Sequence, residues 1–314
     1  MTKLLSFDSE GVQFAWDATS VSSFEKCPRY YQYSHMMGWQ RNTKSVHLIF
    51  GGHFATALEH YYKYTFTGHT PDEALEKVIL ETLIATWEFD FDEETSERVD
   101  DSGEPWDSLH NTKTRGTLIR SIVWYFAHFD PDPTETVKLS DGTPAVELSF
   151  SLPFESEDLL YCGHLDRFVV FGDKYYIMDQ KTTGTTVTNR FFEQFTPDIQ
   201  MSGYAWAGEI LFDLPNSGVI IDAAQIAVGF TKFTRSFIHR AEYHLNEWYD
   251  NTLATIEDAQ RATRDNEFRM NRQSCGNYGG CQYRPICSRS PQHRPNIFEA
   301  DFHRAPRWDP LEKR

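Results

Sequence analysis

No run of apolar residues in the 314-residue chain approaches the roughly 18 that a membrane-spanning helix needs. The opening, MTKLLSFDSEGVQF, has no apolar signal-peptide core. A soluble, cytoplasmic protein without a membrane partner is therefore expected. Cysteine is scarce, with five residues, and a chain this long buries a core without disulfides, which excludes the small stapled scaffolds. Positive charge is short as well: 30 Lys and Arg face 46 Asp and Glu, a net −16 that argues against broad polyanion binding. Disorder is excluded by what is present, since 40% of residues are hydrophobic and 15% aromatic.

The charge is unevenly spread. Residues 261–314 carry eleven Lys and Arg against six acids, and 269–294 contains no Asp or Glu. Residues 90–107 hold nine acids opposed only by Arg98, which reads as a solvated loop. Before it, apolar spacing predicts a short helix from Ser20 to Pro28, another over 52–64, and a third opened by the capping box Thr70-Pro71-Asp72-Glu73. After a helix over 112–129 the period changes to two at Val146, Leu148, Phe150 and Leu152, a half-buried strand. LYCGHLDRFVVF and KYYIMDQK flank Gly172-Asp173, a hairpin signal. A helix near Pro197, a strand over 218–229 and an amphipathic helix over 241–263 follow. Helices before, between and after strands predict an α/β or α+β domain with peripheral additions. The expected division is a helical region at 1–135, a core at 136–265 and a Cys-containing basic segment at 266–314.

With Gly172-Asp173 at the turn, Asp166 falls opposite Asp179 and His164 opposite Lys181, while Lys181 shares a face with Asp179. Two carboxylates that close repel unless a cation lies between them, and a hard divalent ion is the natural occupant. A solvated, paired sheet face is the plainer alternative. The flanking residues resemble the RecB-like branch of the PD-(D/E)XK nuclease superfamily. GHLDR matches its Gly-x-x-Asp motif, Asp179-Gln180-Lys181 its (D/E)-x-K motif, and Gln200 with Tyr204 its Gln-x-x-x-Tyr motif. Glu147 is placed like an acid often found ahead of the Gly-x-x-Asp strand. In FGGHFATALE, Ala55 stands where the family's metal-binding His would be, although Glu59 is kept. His53, two residues away, faces elsewhere on an ideal helix; it is carried as a candidate ligand beside the plainer reading of a polar helix residue.

The resemblance implies a PD-(D/E)XK core, a central mixed sheet flanked by helices, with an N-terminal helical region and a C-terminal Cys-rich segment. It implies Mg²⁺ or Mn²⁺ at Asp166, Asp179 and the Gln180 carbonyl, Lys181 positioning a water, and Gln200 and Tyr204 orienting the site. The substrate would be DNA, single-stranded or with a free end, and an exonuclease or other DNA-repair nuclease is the activity implied, with protein partners in DNA processing. Cys162 lies inside a strand and reads as core packing. Cys275, Cys281 and Cys287 need a fourth ligand to hold a metal, which Cys27 supplies if the chain ends meet; zinc and iron–sulfur both suit thiolates. SSFEKCPRYYQY with the terminal triplet resembles the iron–sulfur members of the same branch, which implies a 4Fe–4S cluster, with zinc as the alternative. Two other functions stand beside the nuclease: a catalytically weak iron–sulfur DNA-binding partner in a repair or replication assembly, and a zinc-stabilised interaction module.

Overall fold

The structure, a computed structural model, describes residues 6–43, 45–88, 104–106, 110–212 and 216–312. The acidic stretch 90–107 lies outside the described residues except for 104–106, and there Glu104–Pro105 pairs with Trp87–Glu88.

Seven strands form one mixed sheet: β1 (Ala15–Trp16), β2 (Thr134–Thr136), β3 (Val146–Phe154), β4 (Ser156–Phe171), β5 (Lys174–Thr183), β6 (Asn216–Ile226) and β7 (Thr231–Ile238). The 16-residue β4 is its spine. One edge of β4 pairs antiparallel with β2 and β3, and the other pairs antiparallel with β5 and, further along, parallel with β1. β5 and β6 are parallel, and β7 returns antiparallel to β6. The Gly172-Asp173 hairpin is present, with Phe171 opposite Lys174 and Arg167 opposite Met178, and Gly172 at φ +63°. The expected strand over 218–229 is shorter and turns back as β7, a strand the alternation did not disclose.

Helices cover both faces. α1 (Ala18–Lys26), α5 (Ile199–Phe212) and α6 (Glu242–Arg264) bury Val21, Phe24, Met201, Trp248 and Ile256 against Leu165, Phe168, Ile177 and Ile221 of the sheet. On the opposite face α2 (Val46–Phe66), α3 (Pro71–Ala85) and α4 (Arg115–His128) bury Phe50, Phe54, Val78, Leu118 and Tyr125 against Val146, Ala224 and Phe233. A central mixed sheet flanked by helices is thus the architecture, as expected. The Thr70 capping box forms, its side chain accepting from the Glu73 N–H while Glu73 accepts from the Thr70 N–H. Beyond α6 the chain breaks into short turns and helices that return to Tyr33 and Trp39, where Tyr283, Ile286, Phe298 and Phe302 make a small aromatic core. No described helix is long and apolar enough to cross a membrane.

The alternation in β3 does not hold throughout. Val146 packs into the α2 to α4 layer, whereas Leu148, Phe150 and Leu152 face the α1, α5 and α6 layer. The change of face falls at Glu147, whose φ of +50° no ordinary strand residue adopts. Across the ladder β4 changes face at the same level, with Leu165 and Phe168 on one side and Arg167 on the other. Glu147 and Asp166 fall at this kink, between the register pairs Val146 with Arg167 and Leu148 with Leu165.

Candidate active site

The kink opens the sheet. β4 and β5 pair from Phe171 opposite Lys174 as far as Arg167 opposite Met178, and the next pair, Asp166 with Asp179, is not made. Instead the Asp166 carboxylate turns into the gap and Oδ2 accepts from the Gln180 N–H at 2.8 Å. Asp179 is 1% exposed. Lys181, further along β5, lies with Nζ 2.6 Å from Asp179 Oδ2 and donates to Gln200 Oε1 at 3.1 Å. Gln200 Nε2 in turn donates to the Tyr204 hydroxyl at 2.9 Å, one turn along α5. Asp166, Asp179, Lys181, Gln200 and Tyr204 therefore meet in one chain of contacts between sheet and helix.

Two glycines bring these elements close. A Cβ at Gly163 would come within 2.7 Å of the Phe150 ring and 3.5 Å of Tyr204; at Gly203, between Gln200 and Tyr204, it would strike Tyr161. α5 is held at its start by Asp198, whose carboxylate accepts from the Met201 N–H at 2.9 Å.

Burial, the Asp179 charge and, further off, Glu147 push the Asp166 carboxyl up to about 8, against the pull of Lys181 and the Gln180 N–H. Burial also raises Asp179, with Lys181 opposing it. Burial works to lower Lys181, but Asp179 and Asp166 outweigh it and hold the ammonium above its usual range. Tyr204 is kept neutral by burial first and by the two aspartates second. Asp198 adds negative charge toward both Asp179 and Lys181. Sequence reading did not single out Asp198; its signal was an Asp placed ahead of a helical period just after Pro197.

The other candidates lie apart. His53 is half-buried, its ring 6.4 Å from Trp106, with burial lowering its pKa. Glu59 pairs with Lys63 one turn on. His164 contacts the Ser149 hydroxyl at 2.8 Å, and the β4–β5 register, which ends at Arg167 with Met178, does not pair it with Lys181. None of the five cysteines forms a disulfide. Cys162 is buried against Ser151, and burial pushes its thiol up to about 11. Cys27 accepts from the Asn271 N–H at 3.3 Å, joining the early helix to the terminal segment. Burial raises Cys281 and Cys287; Cys275 and Cys27 also raise Cys281, and Cys281 and Cys27 also raise Cys287, so the four thiols share one neighbourhood. Among the described residues, no three His, Cys, Asp or Glu side chains are gathered as a group that could hold a metal ion.

A model of the PD-(D/E)XK nuclease superfamily matches residues 15–288, which includes every residue of the contact chain just described. The chain belongs to that superfamily. Among solved structures it is similar to a candidate exonuclease from Eubacterium rectale, with 12% identity over 82% of this chain and 84% of the other and a TM-score of 0.48. It is also similar to the protein SSO0001, with 9% identity over 77% and 76% and a TM-score of 0.30. No curated protein matches.

Membership of a nuclease superfamily implies a nucleic-acid substrate, and its members typically use divalent metals. The donors of this nuclease-superfamily site fit such an ion. Asp166 and Asp179 bring carboxylate oxygens and Gln180 a backbone carbonyl, while the charges of Asp179 and Glu147 raise Asp166 and Lys181 acts against them. An additional positive charge is what the arrangement calls for.

Proposed function

We propose that the protein is a divalent-metal-dependent deoxyribonuclease of the RecB-like branch, hydrolysing phosphodiester bonds in single-stranded or ended DNA, as an exonuclease. The observation that carries the reading is the Lys181 ammonium, shared between Asp179 and Gln200 and held charged by Asp179 and Asp166 together. Asp166 and Asp179, with the Gln180 carbonyl, would hold Mg²⁺ or Mn²⁺. Such an ion supplies positive charge against the phosphoryl oxygens and lowers the pKa of a water molecule.

The chain's own groups do the rest. Lys181 stays protonated, so it serves as a hydrogen-bond donor that orients the attacking water and the phosphate rather than as a base. Gln200 fixes the ammonium by accepting from it, and is itself fixed by donating to Tyr204. Asp179, almost wholly buried, keeps the ammonium at the floor of the site. The four cysteines Cys27, Cys275, Cys281 and Cys287 would hold a 4Fe–4S cluster, or zinc, as a structural clip. Thiols suit either, and their shared neighbourhood joins the early and late parts of the chain.

Assay of anaerobically purified protein on end-labelled single- and double-stranded DNA with Mg²⁺ or Mn²⁺ tests the reading. Asp166→Ala, Asp179→Ala and Lys181→Ala should each lower cleavage by about 10²-fold or more while circular dichroism stays unchanged. Unchanged turnover in any of the three would remove that residue from the site.

A further inference from the structure

One corner of this acidic chain holds a buried lysine that no acid among the described residues pairs. Lys113 is 1% exposed, and among the described residues its Nζ has no hydrogen-bond or ion-pair partner. The ammonium lies 4.3 Å over the ring of Phe50, in the second turn of α2. His47, at the second position of α2, is exposed; burial, His110 and Lys113 lower its pKa, so the Lys113 charge reaches the start of the helix. The cap residue Ser45 makes no side-chain cap hydrogen bond, and its carbonyl accepts from the Leu48 and Ile49 N–H groups, which leaves those of Val46 and His47 without a described acceptor. The dipole of the 21-residue α2 adds positive potential at the same point. His110 Nδ1 accepts from the N–H groups of Thr112 and Lys113, which fixes the turn that sends the lysine inward.

An unpaired buried ammonium is costly to the fold, and Met or Leu would fill the same space without that cost. Its free energy is recovered when an anion settles at the mouth of the corner, where the low dielectric beneath strengthens the attraction. The position is close to the chemistry. One turn after His47, a Cβ at Gly51 would lie 3.3 Å from Thr182 Oγ1, and Thr182 follows Lys181 in β5.

We infer that the start of α2, with Lys113 beneath it and His47 beside it, binds a phosphate of the nucleic-acid strand. The identity of the ligand rests on the nuclease reading; the anion site itself does not. The phosphate belongs either to a strand end or to the internal backbone, and the chemistry is the same.

The test uses the full chain in EDTA, where hydrolysis is suppressed. Binding of fluorescent oligonucleotides is followed by anisotropy across a salt series for wild type, Lys113→Met, exposed His47→Ala and, as a control, Lys181→Ala. Lys113→Met should melt at or above the wild-type temperature, bind about tenfold more weakly and lower the slope of log affinity against log salt by about one. His47→Ala should weaken binding in the same direction without a change in melting. Oligonucleotides with 5′-phosphate, 3′-phosphate or hydroxyl ends separate an end phosphate, for which one phosphorylated end alone shows the Lys113 effect, from an internal one, for which all three do. Wild-type affinity and salt slope in both Lys113→Met and His47→Ala would overturn the site, and so would a Lys113→Met that melts lower while His47→Ala binds normally. If wild type binds no oligonucleotide yet inorganic phosphate raises its melting temperature and not that of Lys113→Met, the anion site stands and the nuclease reading falls.

Discussion

Asp166 shows how one residue's charge is set by its surroundings. Its carboxyl sits at about 8 against an ordinary 3.8, so the folded chain keeps a proton that the unfolded chain releases between those values. The native state binds more protons there, and the Asp166 contribution to metal-free stability therefore falls as pH rises from about 4 to about 8. In urea melts in EDTA, wild type should lose stability relative to Asp166→Asn across this window, and Mg²⁺ or Mn²⁺ should cancel the loss in wild type alone; a wild type that gains on the variant as pH rises contradicts the assignment. His53 is the contrasting case, because it packs beside Trp106 with no described contact to the carboxylates. His53→Ala should leave Mn²⁺ affinity within about twofold by calorimetry, and a large loss would make it a ligand after all. At this scale the sequence was readable where spacing alone places a side chain, as with Gln200 and Tyr204 one turn apart. It was not readable at Glu147, since no pattern of residue types announces a φ of +50° in a non-glycine.

Among the elements, hairpin and helix starts were legible because their signals are local: Gly172 for the turn and the Thr70 box for α3. β7 was missed for a nonlocal reason. Arg235, paired with Asp222, is buried through that residue, Asp132 and the Phe129 ring, so a polar position sits where alternation looks for an apolar one. Closure of α5 onto the sheet depends on the missing side chain at Gly203, where Tyr161 fills the space. Gly203→Ala should overpack this contact, destabilise the protein by about 1–3 kcal/mol in urea melts and draw Gln200 away from Lys181. Cleavage should then fall further than the stability loss explains. A stable, fully active Gly203→Ala would show that the helix does not need this approach.

Across the whole molecule, early and late segments are interleaved. Trp16 and Phe24 lie in one core with Ile256 and Phe268, while Arg29 and Cys27 take hydrogen bonds to and from Arg269 and Asn271. If the four thiols hold a cluster, Cys27→Ser should bleach the visible absorbance of anaerobically purified protein and expose residues 269–294 to protease, whereas Cys162→Ser should do neither. Colourless wild type with normal stability would remove the cluster. The parallel pairing of β1 with Leu160 and Tyr161 also has a cost in time. On a ribosome adding about 5–20 residues per second, Ala15 and Trp16 wait roughly 7–30 s for partners some 145 residues downstream. Throughout that interval the nascent chain carries Trp16, Val21 and Phe24 uncovered, so the step most exposed to chaperones falls during synthesis, before β5 with Asp179 and Lys181 has been made.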